Sequence, residues 1–342
     1  MNHNKPFMLA PVGKDYLWGG MRLKTQFNKK INMTPLSETW ECSTHADGPS
    51  IIADGEHKGQ ELRQVLSKHP EYLGSHPGAV MGGSDNGSSQ TAELPILVKF
   101  IDAAQNLSIQ VHPDDDYARR NENGSLGKSE MWYVLDAEPD ASLVYGFNRD
   151  MSEELLRTSL DNGTIEKYLH KIPVHRDDVF FVDAGTVHAI GAGVLLAEIQ
   201  ENSNLTYRLY DYERLDKDGV KRNLHIKKAM QTLNYKRSDT PRQPMRVLRY
   251  RPGFASEFLC RCKYFQVERL LINTDSGQPV ECSTTSLSFH VLLCIDGDGT
   301  LNVDDYVSPY QMHFHKGDCI FLPASSVPLS VYGRCQTLRI GC

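Results

Sequence analysis

The stretch DVFFVDAGTVHAIGAGVLLAEIQ occupies residues 178–200. Two short runs, 178–182 and 194–199, are built from β-branched, aromatic and aliphatic residues and flank a turn punctuated by Gly185, Gly191 and Gly193. Runs of that length and composition are strands, and the glycines between them turn the chain back on itself. The same texture extends outward on both sides, at 95–101 (PILVKFI), 107–111 (LSIQV), 131–135 (MWYVL) and 142–146 (SLVYG). The expected fold is therefore mainly β, an antiparallel sandwich or barrel. No literal repeat is present, but Gly317-Asp318-Cys-Ile-Phe-Leu-Pro323 echoes Asp177-Asp178-Val-Phe-Phe-Val-Asp183, which points to two related β units.

Three segments carry helical periodicity instead. Residues 60–69 place Leu62, Val65 and Leu66 on one face and stop at His69-Pro70. Residues 152–170 begin with Ser152 as a cap and Glu153 and Glu154 in the first turn, break at Gly163 and restart at Thr164. Residues 224–233 form the third and lead out of the first unit. The expected division is 1–235 as a catalytic unit, with a helical insertion around 150–172, and 236–342 as a second β unit. The polar, Gly/Ser-rich stretch 82–92 reads as a loop of the kind that serves as linker or lid.

Bulk properties narrow the function classes. The chain has 342 residues, 40% of them hydrophobic and 23% charged, as in ordinary soluble globular proteins. A net charge of -6 leaves no basic surplus to offset nucleic-acid phosphates, although a small anionic ligand needs only a few local cations. No apolar run reaches the roughly 18–20 residues of a membrane span, and Met1-Asn-His-Asn-Lys-Pro lacks a signal-peptide core. A cytoplasmic location is expected, with the eight cysteines as free thiols, none of them in a CxxC pair.

Chemistry concentrates at Leu107-Ser-Ile-Gln110-Val-His112-Pro-Asp-Asp115. Residues i and i+2 of a strand share a face, so Gln110 and His112 project together. Glu130 opens the next strong strand after a Gly-containing connection, where antiparallel pairing would set it opposite 110 and 112, and the turn after 183 delivers His188. Two imidazoles, a carboxylate and an amide oxygen suit a divalent metal and leave a coordination position open, the mark of a catalytic site. Taken singly, each of the four has an ordinary structural role; their joint arrangement carries the argument.

In that context Gln-x-His, a Gly-linked Glu and Asp-x-Gly-x-x-His resemble the two metal motifs of the cupin fold. LSIQVHPDD, GKSEMWYVL, AGTVHAIGAGVLLAEIQENS and TYRLYDYER together resemble the type I mannose-6-phosphate isomerases in their shorter bacterial form. The likeness runs from Tyr16-Leu-Trp18 to about residue 235, and the tail carries only the cupin echo. The resemblance implies two cupin-type β-barrel or jelly-roll units with a small helical insertion. It implies one Zn²⁺ per chain on Gln110, His112, Glu130 and His188, with Lys99, Lys128, Glu198 and Arg208 as further pocket residues. The substrates it implies are mannose 6-phosphate and fructose 6-phosphate, interconverted through a cis-enediol, in a monomer or homodimer with neither nucleic acid nor membrane as partner.

Within that expectation Glu198 and Lys99 compete as the general base, the lysine only if its pKa is depressed. Arg208 grips phosphate or stabilises enediolate charge; without the resemblance, a surface pair with Asp211 or Glu213 would be the plain reading. The separation of Lys99 from Gln110 implies a bend or bulge between them. Asn204 stands where many relatives have Asp, which removes a carboxylate base from that position. His313 and His315 share a face, but the following strand has no His at the second motif position, so the C-terminal unit is expected to lack metal. Two alternatives remain: an iron-dependent cupin oxygenase, separable by metal and oxygen-consumption assays, and a catalytically inactive sugar-phosphate-binding cupin, separable by a coupled isomerase assay.

Overall fold

The computed structural model describes residues 4–80, 93–216, 218–239, 241, 243 and 246–342, so the loop expected at 82–92 lies outside the described residues. The strands form three sheets, none of which closes into a barrel among the described residues. A six-stranded sheet runs Val179–Val182, Glu130–Ala137, Val194–Glu201, Ile96–Asp102, Glu38–Cys42, Val12–Lys14. A five-stranded sheet runs Tyr207–Tyr210, Ile109–Val111, His188–Ile190, Ser142–Phe147, Leu169–Pro173. These two sheets share the core of Ile101, Trp132, Val134, Leu143, Ile190 and Leu196 and form a jelly-roll-like sandwich. Residues 249–341 build most of a third, ten-stranded sheet.

The third sheet is organised by two long antiparallel strands, His290–Val303 and Leu329–Gly341. The first half of His290–Val303 pairs with Cys319–Leu322 and its second half with Tyr310–His315. Side-chain alternation sends Val291, Leu293 and Phe321 into a core shared with the catalytic half, against Phe100, Tyr133 and Ile199. Their neighbours Leu292, Cys294, Ile320 and Leu322 fill the interior of the C-terminal unit. Each such large apolar side chain stabilises the packing by roughly 1.5–3 kcal/mol. The strands Phe7–Ala10 and Ile51–Ile52, inside the span expected to form the first unit, hydrogen-bond into this C-terminal sheet. Alternation explains it, because Phe7 and Leu9 pack in the core between the halves.

Packing on both faces explains the near-continuous apolar runs. Every residue of Ile96–Asp102 and Val194–Glu201 is buried. Ile96, Val98, Phe100, Ala197 and Ile199 face the C-terminal unit, and the intervening positions face the five-stranded sheet. The three expected helical segments contain Leu62–Lys68, Glu153–Asp161 followed by a 3₁₀ turn Ile165–Tyr168, and Ile226–Thr232. Ser152 caps the second, its Oγ accepting from Leu155 N at 3.1 Å. A further helix, Asp115–Asn121, was legible but unread: Asp114 caps it, acids fill its first turn and Arg119 and Arg120 its last.

The echo between 177–183 and 317–323 is structural. Asp178 accepts from His175 N at 2.8 Å and Asp318 from His315 N at 2.7 Å. In both places a residue of positive φ, Asp177 or Gly317, leads into the strand. Both units thus enter an equivalent strand through the same tight turn.

Candidate active site and metal centre

The sandwich brings Gln110, His112, Glu130 and His188 together by two routes. His188 is paired with Gln110 across the five-stranded sheet, and Arg208 flanks Gln110 on its other side. Glu130 is not a pairing partner of these residues, as its strand pattern had suggested; it projects from the six-stranded sheet and meets them across the sandwich. The bend or bulge expected between Lys99 and Gln110 is a bend at residues 104–105, where the chain changes sheets between Ile96–Asp102 and Ile109–Val111. One ligand atom each from His112, Glu130 and His188 lies within 4.8 Å of the others, and all three residues are buried.

Both imidazoles are pre-oriented. His112 Nδ1 donates to Leu205 O at 2.7 Å and His188 Nδ1 to Thr186 O at 2.9 Å. A carbonyl only accepts, so both protons sit on Nδ1 and both Nε2 lone pairs face the centre. Burial, reinforced by Lys128, pushes His112 down to about 3, and burial likewise lowers His188. Burial alone would raise Glu130, but Lys128 outweighs it and holds its carboxyl well below the usual range. Neutral imidazoles and an ionised carboxylate are the forms that ligate. Glu130 Oε1 faces His112 Nε2 at 3.0 Å, acceptor against acceptor, with the Lys128 ammonium 2.5 Å from the first and 3.2 Å from the second. Trp132 Nε1 donates to Glu130 Oε2 at 3.0 Å and fixes that carboxylate. Gln110 lies 3.4 Å from His188 through its amide, and a half-turn about its last torsion presents the carbonyl oxygen. The donor set fits a divalent ion.

Around it sit the four other expected residues, all lining one cleft with Tyr16, Trp18, Glu38, Ser108, Thr206 and Arg222. Lys128 Nζ is 2.5 Å from Glu130 Oε1 and 3.7 Å from Glu198 Oε1. Lys99 Nζ is 3.5 Å from Glu198 Oε1 and 4.0 Å from Glu38 Oε2. Burial favours a neutral Lys99, but Glu198, Glu38 and Glu130 outweigh it and raise its pKa, against the depressed value a lysine base requires. Burial, with Glu130 next, pushes Glu198 up to about 7. Arg208 does not make the surface pairs that were its plain reading. Asp211 is bound by Arg214 and Arg222, and Glu213 by Lys221, while the buried Nε of Arg208 has no hydrogen-bond partner. Asn204 donates to Asp47 Oδ2 at 2.8 Å.

Residues 7–140 match the catalytic domain of type I phosphomannose isomerases, and residues 255–341 the cupin domain of mannose-6-phosphate isomerases. The mannose-6-phosphate isomerase ManA of Bacillus subtilis is 34% identical over 322 residues, 93% of each chain. The chain belongs to the type I phosphomannose isomerase family. The probable isomerase GmuF of the same organism is 41% identical over 239 residues, covering 70% of this chain and 71% of that one. The crystal structure of the Bacillus subtilis mannose 6-phosphate isomerase superposes with a TM-score of 0.86 at 33% identity, covering 98% of this chain and 99% of that one. The Salmonella typhimurium phosphomannose isomerase, at 16% identity and a TM-score of 0.71, shares the fold.

Several cleft residues escaped the reading of the sequence. Glu38 precedes a Trp40 whose Nε1 donates to it at 2.8 Å, and only burial of the whole strand marks it as unusual. Arg222 arrives from a polar loop without a motif. A larger cleft of about 840 Å³ opens on the C-terminal unit, but Lys263 and Arg339 there are already paired with Asp115 and Glu268. His313 and His315 lie on the exposed face of their strand, and His313 bonds to Thr300. No helix among the described residues is long and apolar enough to cross a membrane.

Proposed function

We propose that this chain interconverts mannose 6-phosphate and fructose 6-phosphate in the cytoplasm, with one Zn²⁺ held by Gln110, His112, Glu130 and His188. The observation that carries this reading is the cleft that Gln110 and Glu130 line together with Lys99, Lys128, Glu198 and Arg208, with His112 and His188 clustered on Glu130. When bound, the ion supplies Lewis-acid neutralisation of the charge that develops on the substrate oxygens.

The chain's own residues account for the rest. Isomerisation removes the proton from C2 and returns one to C1 by way of an enediol. Glu198 is the shuttle: a buried carboxyl raised to about 7 gains and loses a proton near neutrality. Lys99, held protonated, balances the ionised form of Glu198 from 3.5 Å. Arg208 holds an anionic part of the substrate, since this half-buried side chain keeps a buried Nε without a hydrogen-bond partner and makes no carboxylate ion pair among the described residues. Lys128 adds a second cation beside the donor set. Trp18, Trp132, Leu107 and Ile190 wall the cleft and exclude bulk water. The deciding experiment measures metal content and isomerase turnover on one preparation before and after chelation. Activity should follow zinc and return on its readdition; full turnover by the metal-free chain would overturn the proposal.

A further inference from the structure

The loop between strands Phe254–Arg261 and Gln266–Asn273 of the C-terminal unit reaches across to the catalytic half. Tyr264 Oη donates to Asp115 Oδ2 at 2.7 Å, and Lys263 Nζ meets the same oxygen at 3.0 Å. The other oxygen of Asp115 accepts from Gly127 N at 3.0 Å. Gly127 lies flush against that helix start: a Cβ there would stand 2.5 Å from Asp115 N and 2.6 Å from Asp114 C, so only glycine seats the loop. The next two amides are also tied, Lys128 N to Pro113 O at 3.0 Å and Ser129 N to Glu201 Oε1 at 2.7 Å. Ser203 Oγ donates to Leu126 O at 3.0 Å.

The amides of Gly127, Lys128 and Ser129 and the carbonyl of Leu126 are thus pinned, and Asp115, which holds the first, is itself gripped by Tyr264 and Lys263 of the far unit as well as by Arg119 of its own helix at 3.1 Å. The Asp115 side chain is only 11% exposed, so water competes little for its contacts. Small misplacements of a catalytic cation cost rate out of proportion to the distance.

We propose that Tyr264 and Lys263 are positioning residues for the isomerisation, acting through Asp115 on the 126–129 segment that presents Lys128. This gives the C-terminal unit a part in turnover beyond covering the six-stranded sheet, and it rests on the isomerase reading above. The alternative is that the contact only stabilises the fold.

The test uses the full-length, metal-loaded chain with Tyr264→Phe, Lys263→Met, the double variant and Lys263→Arg. Expected is a drop in kcat of about tenfold for Tyr264→Phe and up to about a hundredfold for the double variant, with KM within about twofold. Lys263→Arg should recover most of the rate lost in Lys263→Met. In a Lys128→Met background, Tyr264→Phe should have little further effect, because both act through one group. Independently of activity, hydrogen exchange at the amides of Gly127, Lys128 and Ser129 should quicken by about tenfold, while strands Ile96–Asp102 and Val194–Glu201 stay protected. Unchanged kcat in the double variant, or effects that multiply fully with Lys128→Met, would overturn the proposal. Unaltered exchange at 127–129 would do the same even if wild-type turnover of mannose 6-phosphate were absent, an absence that would itself refute the isomerase reading alone.

Discussion

Replacing Lys29 with Met tests how the two halves of the molecule are joined. Lys29 Nζ lies 2.6 Å from Glu41 Oε2 and also donates to Gly317 O, so one ammonium ties the strand Glu38–Cys42 to a turn of the C-terminal unit. Both side chains are buried, at 7% and 0% exposure. Attraction across 2.6 Å is about 6 kcal/mol at an effective dielectric of about 20. Desolvation of the ammonium offsets part of that, and removing one partner of a buried pair costs about 3–5 kcal/mol. The cost depends on pH in a definite direction. Burial raises the Glu41 pKa above 4.5 even with Lys29 opposing it, and losing Lys29 raises it further. A raised carboxyl binds its proton more tightly in the folded state. Its contribution is therefore fully present below the unfolded pKa and is lost as pH rises through the folded one. Urea unfolding of wild type and Lys29→Met at pH 5 and pH 8 should give a small difference in acid and the full 3–5 kcal/mol in base. Lys29→Met/Glu41→Gln should recover most of the loss at pH 8. Equal destabilisation at both pH values, or a loss below about 1 kcal/mol at pH 8, would refute the reasoning.

Other consequences concern the cleft. Arg208→Ala should retain metal and lose about 10²–10³ in kcat, measured in a coupled assay; unchanged kinetics would return Arg208 to a structural role. Trp132→Phe removes the N–H that fixes Glu130, so metal affinity should fall about 10–100-fold by competitive chelation, with little change in the unfolding midpoint. Because Glu198 must be ionised to take a proton, kcat should rise with pH through about 7 and then level off; Glu198→Gln should remove that limb together with most of the rate.

Much of this site was readable because strand geometry is periodic. Gln110 and His112 stand two residues apart, and the glycines around His188 announced a turn that returns an imidazole to the sheet. Helix signals were equally local: the Ser152 cap, the Leu62, Val65 and Leu66 face, and the unread Asp114 cap all lie within one turn of what they control. Charges inside PILVKFI and VLLAEI carried further information, since Lys99 and Glu198 interrupt strands buried on both faces. A charge retained there has to be paired or used.

What local pattern does not encode is which surface meets which. Glu130 reaches the histidines across a sandwich rather than along a ladder, and its strand period is the same in either arrangement. Phe7–Ala10 alternates like any half-buried strand, yet its partner lies some three hundred residues away, at Cys319–Leu322. The sequence by itself determined the mainly β content, three of the helical segments, the clustered donors His112, Glu130 and His188, and the family to which they point. Only the tertiary structure decided that Arg208 makes no carboxylate ion pair among the described residues, that Glu38 lies beside Lys99, and that Tyr264 reaches Asp115. Each of those depends on residues far apart in the chain, and distance in space is set by packing, not by spacing.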